Sequence, residues 1–295
     1  MGRSRYQKRQ SLVGWLFVSP WVLGFSLFVA FPFVVSFYFS FCEYNILTPP
    51  RWVGLRNYND LFFHDPQFWK SLYNTVFYAA ISVPLAIVFG VGLALLLSTN
   101  MRGMGFFRTV FYLPSIVPIV AQSILWIWLF NPQLGLINSI LGAMGIDGPA
   151  WLASTEWSKP ALIIMGLWGV GNAMLIYLAG LKDIPTSFYE AAEVDGANIW
   201  QRTRYIALPM LSPVIFFNAV MGIIYAFQYF TQAYIMTGGG PENSTTFTGL
   251  YIFQQAWSYL NMGYASAVAW ILFVIIVTIT YLVFRTHTKW VHYER

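Results

Sequence analysis

Residues 187–213 read SFYEAAEVDGANIWQRTRYIALPMLSP, and apolar segments flank this polar stretch on both sides. Ser187 and Glu190 fit a capping box, in which a hydroxyl and a carboxylate satisfy the free amide groups at the start of a helix. Gly196 is placed to end that helix in the left-handed conformation. Asn198, with a glutamine three residues later, predicts the N-cap of a second helix. The stretch therefore predicts a short helix, a glycine break and a helix that continues into a membrane span.

The overall composition is that of a membrane protein. The chain has 295 residues, of which 58% are hydrophobic and only 9% are charged, whereas a soluble domain averages about 25% charged residues. Such a chain cannot cover itself with water-compatible side chains, so we predict an all-α, polytopic membrane protein. Cys42 is the single cysteine, which excludes a disulfide framework and a thiolate metal site.

Six apolar segments are long enough to span a bilayer. They cover residues 12–41, 72–98, 109–130, 160–181, 205–236 and 264–284. The first segment is 30 residues long, too long for a signal-peptide core, so we expect an uncleaved, tilted helix that is kinked near Pro20 or Pro32. In the second segment, Ala86, Gly90 and Ala94 recur at four-residue spacing and predict close helix packing.

The distribution of Lys and Arg predicts the orientation in the membrane. If the N-terminus is cytoplasmic, twelve basic residues fall inside and four outside, which is the positive-inside bias. The inside set is Arg3, Arg5, Lys8, Arg9, Arg102, Arg108, Lys182, Arg202, Arg204, Arg285, Lys289 and Arg295. The outside set is Arg51, Arg56, Lys70 and Lys159. We therefore expect both termini and the stretch at 187–213 in the cytoplasm, and we interpret the net charge of +5 as topology and not as a nucleic-acid footprint.

The sequence lacks the motifs of nucleotide hydrolysis and of common membrane enzymes. No GxxxxGK[ST], HExxH or nucleophile elbow occurs, and no Asp, Glu, Lys, Arg or His falls inside the six segments. Ion-coupled carriers usually carry ionisable residues at membrane depth. We therefore expect a transport subunit and not an enzyme, with no metal site and an external energy source. An ion-driven secondary sugar transporter, or a structural subunit without transport, are the alternatives.

Neutral polar and aromatic side chains do occur within the segments. Tyr225, Gln228, Tyr229 and Gln232 follow three- and four-residue spacing and are expected to share one helix face. An amide or phenol without a partner in lipid costs roughly several kcal/mol, so this face should line protein or water. Amides and hydroxyls beside aromatic rings suit a neutral carbohydrate. Hydrogen bonds between helices are the alternative reading.

Several short motifs carry a family resemblance. EAA at 190–192, Gly196 and IALP at 206–209 resemble the EAA loop of permease subunits of bacterial binding-protein-dependent ABC importers. TGGGP at 237–241 and MGYASA at 262–267 resemble the end of the first permease of maltose-type sugar importers. The combination of these motifs is specific for the family, although each piece alone is not.

The resemblance implies a type I ABC importer transmembrane fold with six helices. Its implied segments are a cytoplasmic tail at 1–10, a first helix at 11–41, an extracytoplasmic loop at 42–70, a core at 71–285 with a coupling loop at 183–205, and a cytoplasmic tail at 286–295. In such permeases the EAA loop is a helix that sits in a cleft of the ATP-hydrolysing subunit. The residues implied for this coupling are Glu190, Ala191, Ala192, Asp195 and Gly196.

The resemblance also implies where substrate and partners bind. Carried over by position, the substrate contacts are Gly169, Asn172, Gly222, Tyr225, Ala226 and Tyr229. Because Gly222 and Ala226 offer no polar group, the predicted site is Gly169, Asn172, Tyr225, Gln228, Tyr229 and Gln232. The implied partners are a second homologous permease, two ATP-binding subunits that hold ATP and Mg²⁺, and an extracytoplasmic solute-binding protein near the loop at Gly238, for which a plain turn is the alternative. This chain would hold no cofactor, would lie in a bacterial cytoplasmic membrane and would pass a sugar or oligosaccharide.

Overall fold

The chain is helical almost throughout in a computed structural model, which describes residues 5–99 and 101–292 and, before Val13, the side chain of Gln10 alone. Within that part, four helices are long and apolar enough to cross a membrane, and two bent helix pairs bring the number of candidate spans to six. Each of the six predicted segments coincides with one of these. The predictions for Arg3 and Arg295, and for the side chains of Arg5, Lys8 and Arg9, lie outside the described residues.

The first of two compact units comprises the chain up to His64 together with Ile252–Trp270. Its elements before His64 are α1 (Arg5–Phe25), α2 (Phe31–Ser40), β1 (Cys42–Glu43), β2 (Arg51–Trp52) and α3 (Arg56–Phe63). A π-helical turn at Ser26–Ala30 separates α1 from α2, directly before Pro32. Because proline lacks an amide hydrogen, the α-helical ladder is disturbed there, whereas Pro20 lies inside an uninterrupted helix.

The predicted loop at 42–70 has more structure than we expected. The strands β1 and β2 pair antiparallel, and the buried Asn57 of α3 donates from Nδ2 to the carbonyls of Ser40 and Cys42, both at 2.9 Å. The next helix already starts at Pro66, since the carboxylate of Asp65 accepts from two amides of its first turn. The second span is therefore six residues longer at its start than predicted.

The second unit comprises Asp65–Tyr251 and Ile271–Arg295. Its helices before Tyr251 are α4 (Pro66–Leu97), α5 (Met104–Tyr112), α6 (Ile119–Leu129), α7 (Leu136–Ala143), α8 (Ser158–Trp168), α9 (Gly171–Lys182), α10 (Thr186–Val194), α11 (Ile199–Arg202), α12 (Leu208–Phe227) and α13 (Thr231–Met236). Helices α14 (Thr248–Phe253) and α15 (Met262–Thr286) contribute residues to both units.

Three spans that we predicted as continuous helices are broken. Helices α5 and α6 are bent by 100°, and α8 and α9 by 47°. Pro114 and Pro118 remove two amide donors at the first bend, and Gln122 compensates by donating from Nε2 to the carbonyls of Pro114 at 2.6 Å and Val117 at 3.1 Å. The third break separates α12 from α13 at residues 228–230.

Helix α4 is the central packing element of the second unit and contacts α8, α9 and α12. A Cβ atom at Gly90 would lie 3.0 Å from Cε2 of Tyr177 on α9, and Ala94 is fully buried. The predicted small-residue ridge is therefore confirmed at these two positions. Ala86, the third residue of the ridge, instead lines a cavity.

The glycine-rich segment, residues 237–247, is folded into the second unit. The buried amide of Asn74 donates to the carbonyls of Asn243 at 2.9 Å and Thr246 at 3.1 Å, and its Oδ1 accepts from Lys159 at 3.1 Å. The hydroxyls of Ser158 and Ser244 are 2.9 Å apart. The segment is a turn between helices whose polar groups are bound to α4 and α8, and its predicted position near a solute-binding protein stays a prediction.

The described part of the C-terminal tail also packs on the second unit. After α15 a 3₁₀ turn covers His287–Lys289, Val291 is buried, and the amide of His292 donates to Oγ of Ser212 at 2.8 Å. The ring of His287 lies 5.5 Å from that of Phe216, and this histidine is half-buried.

Candidate functional site

A cavity of about 990 Å³ lies in the second unit between α4, α8, α9 and α12. Its volume is at the upper end of the range of about 300–1,000 Å³ that is usual for ligand pockets. Most of its lining is apolar, and its aromatic and amide lining residues are Tyr78, Tyr112, Tyr177, Phe217, Tyr225, Tyr229, Phe230, Asn172, Asn218, Gln228 and Gln232. Among the described residues that line it, none is Asp, Glu, Lys, Arg or His.

All three helix breaks border this cavity or a smaller one of about 300 Å³ beside it. Val117 from the first break lines the smaller cavity, Gly169 from the second lines both, and Gln228 from the third lines the larger. Backbone that leaves a helix at membrane depth is tolerated only where it is buried in protein or lines a cavity. The breaks therefore mark this site independently of the side chains that line it.

The structure brings all six predicted substrate residues together. Gly169, Asn172, Tyr225, Gln228, Tyr229 and Gln232 all line the larger cavity. The expectation that the last four share one helix face is wrong, because α12 ends at Phe227. Two of them lie in the break and Gln232 lies in α13, so the chain reaches the cavity with irregular backbone as well as with side chains.

Tyr229 is the most enclosed of these residues, with 8% of its surface exposed. Its ring centroid lies 4.3 Å from that of Tyr78 on α4 and 5.2 Å from that of Phe247. Its buried hydroxyl makes no hydrogen bond to any described residue. The aromatic wall around Tyr229 therefore includes Tyr78 and Phe247, which sequence reasoning missed because they lie about 170 residues apart along the chain and follow no common spacing.

Gly222 and Ala226, the two positions without a polar group, also line the cavity. Neither adds a hydrogen-bonding side chain, so the polar groups of the site cluster at the third break and around Asn172. Such a site can hold a neutral, hydroxyl-rich molecule by hydrogen bonds from amides and phenols and by contact with aromatic rings.

A second candidate site is the α10–α11 surface, residues 186–202. Helix α10 starts at Thr186 with Pro185 as its N-cap and no side-chain cap, so the capping box predicted at Ser187 is wrong. The proline is the cause, because it holds the chain extended and the helix begins immediately after it, which leaves Ser187 in the first turn. Sequence spacing alone could not show that shift.

The end of α10 follows the prediction closely. Gly196 has a φ of 74°. Its amide donates to the carbonyl of Glu193 at 3.0 Å, and the amide of Ala197 donates to that of Ala192 at 2.8 Å. These two bonds form a Schellman motif, which is why a glycine is favoured there. The capping box of α11 is confirmed, with Asn198 and Gln201 exchanging bonds of 2.9 and 2.7 Å.

The α10–α11 surface presents apolar side chains to the outside. Val194 is 88% exposed and Trp200 is 80% exposed, beside the exposed carboxylates of Glu190 and Asp195. Tyr189, in contrast, packs against a cluster of buried hydrophobic residues that includes Leu97, Leu181 and Leu211, and burial raises the pKa of its phenol. Helix α10 is thus held from one side and leaves the other free, which is characteristic of an interaction site.

Comparisons with known proteins identify the family of the chain. The sequence model of the family described as binding-protein-dependent transport system inner membrane component matches residues 86–292. The chain belongs to this family. It is therefore a membrane component of a transport system and a permease subunit by family, and an ion-driven secondary transporter is no longer a viable alternative.

Similar proteins extend over nearly the whole chain. A probable ABC transporter permease, YesP of Bacillus subtilis, is 44% identical over 298 aligned positions that cover all of this chain and 96% of the relative. The lactose transport system permease LacF of Rhizobium radiobacter is 34% identical, with 96% of each chain covered. The trehalose/maltose permease MalF of Thermococcus litoralis is 32% identical, with 94% of each covered.

The fold is also that of a solved transporter. A chain of a bacterial ABC transporter involved in the import of the acidic polysaccharide alginate superposes with a TM-score of 0.84, covering 97% of this chain and 99% of that one at 23% identity. The predicted type I ABC importer fold is thereby confirmed. The individual coupling and substrate residues, and the predicted segment boundaries, stay predictions.

Proposed function

We propose that this chain is the permease subunit of an ATP-driven importer for a neutral sugar or oligosaccharide. The observation that carries the proposal is the cavity at the three helix breaks, which is lined by amides, phenols and aromatic rings and, among the described residues, by no charged side chain. Neutral hydroxyl-rich molecules need hydrogen bonds and apolar ring contacts, and they do not need a charged partner. Permeases named for lactose and for trehalose/maltose are among the similar proteins, which supports the same substrate class.

The energy source is assigned to a separate subunit that docks on the α10–α11 surface. The coupling residues would be Glu190, Ala191, Ala192, Asp195 and Gly196. The small side chains of the exposed Ala191 and the half-buried Ala192 let another protein approach α10 closely, and that contact would cover the exposed Val194 and Trp200. ATP and Mg²⁺ would bind on the partner and not on this chain.

The full assembly would contain a second homologous permease, two ATP-binding subunits and an extracytoplasmic solute-binding protein. The chain would lie in a bacterial cytoplasmic membrane with both termini inside, because twelve of sixteen basic residues then face the cytoplasm. The solute-binding protein would deliver sugar from outside, and ATP-driven closure of the partner subunits would shift the helices between outward-open and inward-open states.

The test is a reconstituted complex in which ATP hydrolysis is measured across a panel of sugars with their binding protein. We expect one neutral sugar class to stimulate hydrolysis. Gln228→Leu should raise the solute concentration for half-maximal uptake about tenfold through one lost hydrogen bond. Gln133→Leu, the same change at an exposed position outside the cavity, serves as the control.

Two results would contradict the proposal. One is uptake that persists when ATP is depleted and stops when an uncoupler is added. The other is a pure complex whose hydrolysis responds only to charged solutes and not to any neutral sugar. Either result would show that the function proposed from the uncharged cavity is wrong.

A further inference from the structure

The joint between α10 and α11 contains a side-chain clamp that the family motif does not include. Arg202 lies at the end of α11, and its side chain folds back over the glycine break. Nε donates to the carbonyl of Ala197 at 3.1 Å, and Nη1 lies 3.2 Å from Oε2 of Glu193 in the last turn of α10. One guanidinium therefore contacts the helix before the break and the chain within it.

Other hydrogen bonds also restrict the backbone between α10 and α11. Gly196 is held by the Schellman bonds on one side, and Asn198 is held by its capping box on the other. The cation also lies near the C-terminus of α10, where the helix dipole favours positive charge. The arginine side chain is 31% exposed, and the carboxylate is 71% exposed. An exposed ion pair alone contributes little to stability. The hydrogen bond to the carbonyl of Ala197 and the planar geometry of the guanidinium group therefore matter more.

A continuous helical segment connects the α10–α11 joint to the cavity. From Ile199 the chain runs through α11, a π-helical turn at Thr203–Ala207 and α12 without leaving helical structure until Phe227. Tyr225 and Ala226, near that end, line the cavity. A movement of α10 can therefore be passed to the cavity through one continuous helix if the angle between α10 and α11 is kept.

We propose that Arg202 is a positioning residue that fixes α10 to the following helix, so that the two move as one rigid lever during transport. This proposal rests on the proposed function, because it needs a motor subunit that moves α10. Lysine could not replace arginine fully, since an ammonium group cannot present the planar fork to the carbonyl and the carboxylate together.

The first test compares Arg202→Gln with Arg204→Gln in the reconstituted complex. Arg204 is an exposed arginine two residues away, whose recorded contact is the ring of Tyr205 at 6.0 Å. We expect Arg202→Gln to lower the number of solute molecules taken up per ATP at least about fivefold, the lower range of typical coupling between sites. Arg204→Gln should stay within about twofold of the wild type, as for most surface changes. Arg202→Lys should fall between them.

Equal uptake per ATP in Arg202→Gln and the wild type would overturn the clamp, and so would equal losses in the two glutamine variants. A complex that shows no solute-stimulated hydrolysis even with the wild-type chain would instead overturn the proposed function. The two failures are therefore distinguishable.

A second test compares one variant protein before and after cross-linking, so that any folding defect of the variant is the same in both measurements. In a Cys42→Ser background, Glu193→Cys and Arg202→Cys are joined with a short flexible thiol cross-linker. If the joint is rigid in the working complex, cross-linking should restore the uptake per ATP that removal of the clamp has lowered. A cross-linked complex that transports less than the unlinked one would show that the joint must bend, and would overturn the proposal.

Discussion

The glycine-rich segment and the α10–α11 surface both connect helices and both contain a left-handed glycine, yet they differ in how their side chains are satisfied. In the first, Ser244, Thr245 and Thr246 are buried and hydrogen-bonded within the second unit. In the second, Val194 and Trp200 are exposed, and the apolar surface is left uncovered. The buried hydroxyls of the first segment are hydrogen-bonded within this chain, whereas the apolar side chains of the second are left exposed for the partner contact proposed above.

This difference predicts opposite consequences of mutation. Changes in the buried segment should act on the stability of the subunit. Changes on the exposed surface should act on transport and leave stability nearly unaltered. The predictions below probe that contrast, beginning with the largest effect.

Glu190→Lys and Gly196→Asp should each abolish uptake while the subunit still reaches the membrane. Glu190 is exposed and a Cβ at Gly196 would meet open space, so neither new side chain clashes with its surroundings, although aspartate at position 196 must adopt a positive φ. Uptake of labelled sugar by cells and immunodetection of the subunit in membranes are the measurements. Gly103→Asp is the matched control, because Gly103 also has positive φ and open space. Uptake at the wild-type rate in either mutant would remove the coupling role.

Asn74→Ala should lower the free energy of unfolding by about 2–3 kcal/mol, because it leaves buried carbonyls of the glycine-rich segment without donors. The thermal unfolding midpoint of the purified subunit in detergent reports the change. Asn45→Ala, which removes an exposed side-chain bond to Thr48, is the control and should have little effect. Equal midpoints for both variants would show that the segment is not held by these bonds.

Trp200→Ser should weaken binding of the ATP-hydrolysing subunit about tenfold, as truncation of an interfacial tryptophan commonly does. The side chain is 80% exposed, so the thermal midpoint of the isolated subunit should stay the same. Binding is measured by titrating the purified partner onto detergent-solubilised subunit. A fall in midpoint with unchanged binding would reverse the interpretation of this surface.

Tyr229→Phe should change the free energy of unfolding by less than about 0.5 kcal/mol, because the hydroxyl it removes has no partner in this structure. Tyr58→Phe is the comparison, since the Tyr58 hydroxyl donates to Oγ of Ser40 at 2.7 Å and its loss should cost about 1 kcal/mol. Thermal unfolding of both variants gives the difference. A larger loss at Tyr229 than at Tyr58 would mean that its hydroxyl is bonded after all.

The parts of this architecture that depend on local chemistry could be predicted from the sequence. Composition and apolar length identify the six spans, and the left-handed Gly196 and the Asn198 cap follow from residue type and spacing. The position of Tyr225, Gln228, Tyr229 and Gln232 in one cavity also follows, because polar groups at membrane depth must face protein or water, whereas Gly169 and Asn172 were implied by the family resemblance.

The parts that depend on distant contacts could not be predicted. Nothing in residues 228–230 signals a break as Pro114 and Pro118 do, so α12 was extended through them. Phe247 joins the wall behind Tyr229 only because α4 binds the glycine-rich segment. The start of α10 could not be predicted either, because Pro185 is the N-cap although the residues at Ser187 and Glu190 fit a capping box.

The bend between α5 and α6 bears on how polar residues in membrane proteins are counted. The side-chain amide of Gln122 donates to the carbonyls of Pro114 and Val117 within the bend, so it stabilises the backbone there. If every intramembrane glutamine were counted as a substrate-binding residue, the number of side chains that can bind substrate would be overestimated here. In related permeases, a side-chain amide near a proline-rich bend should likewise bind the free carbonyls. Its structural role should stay the same when the transported substrate differs.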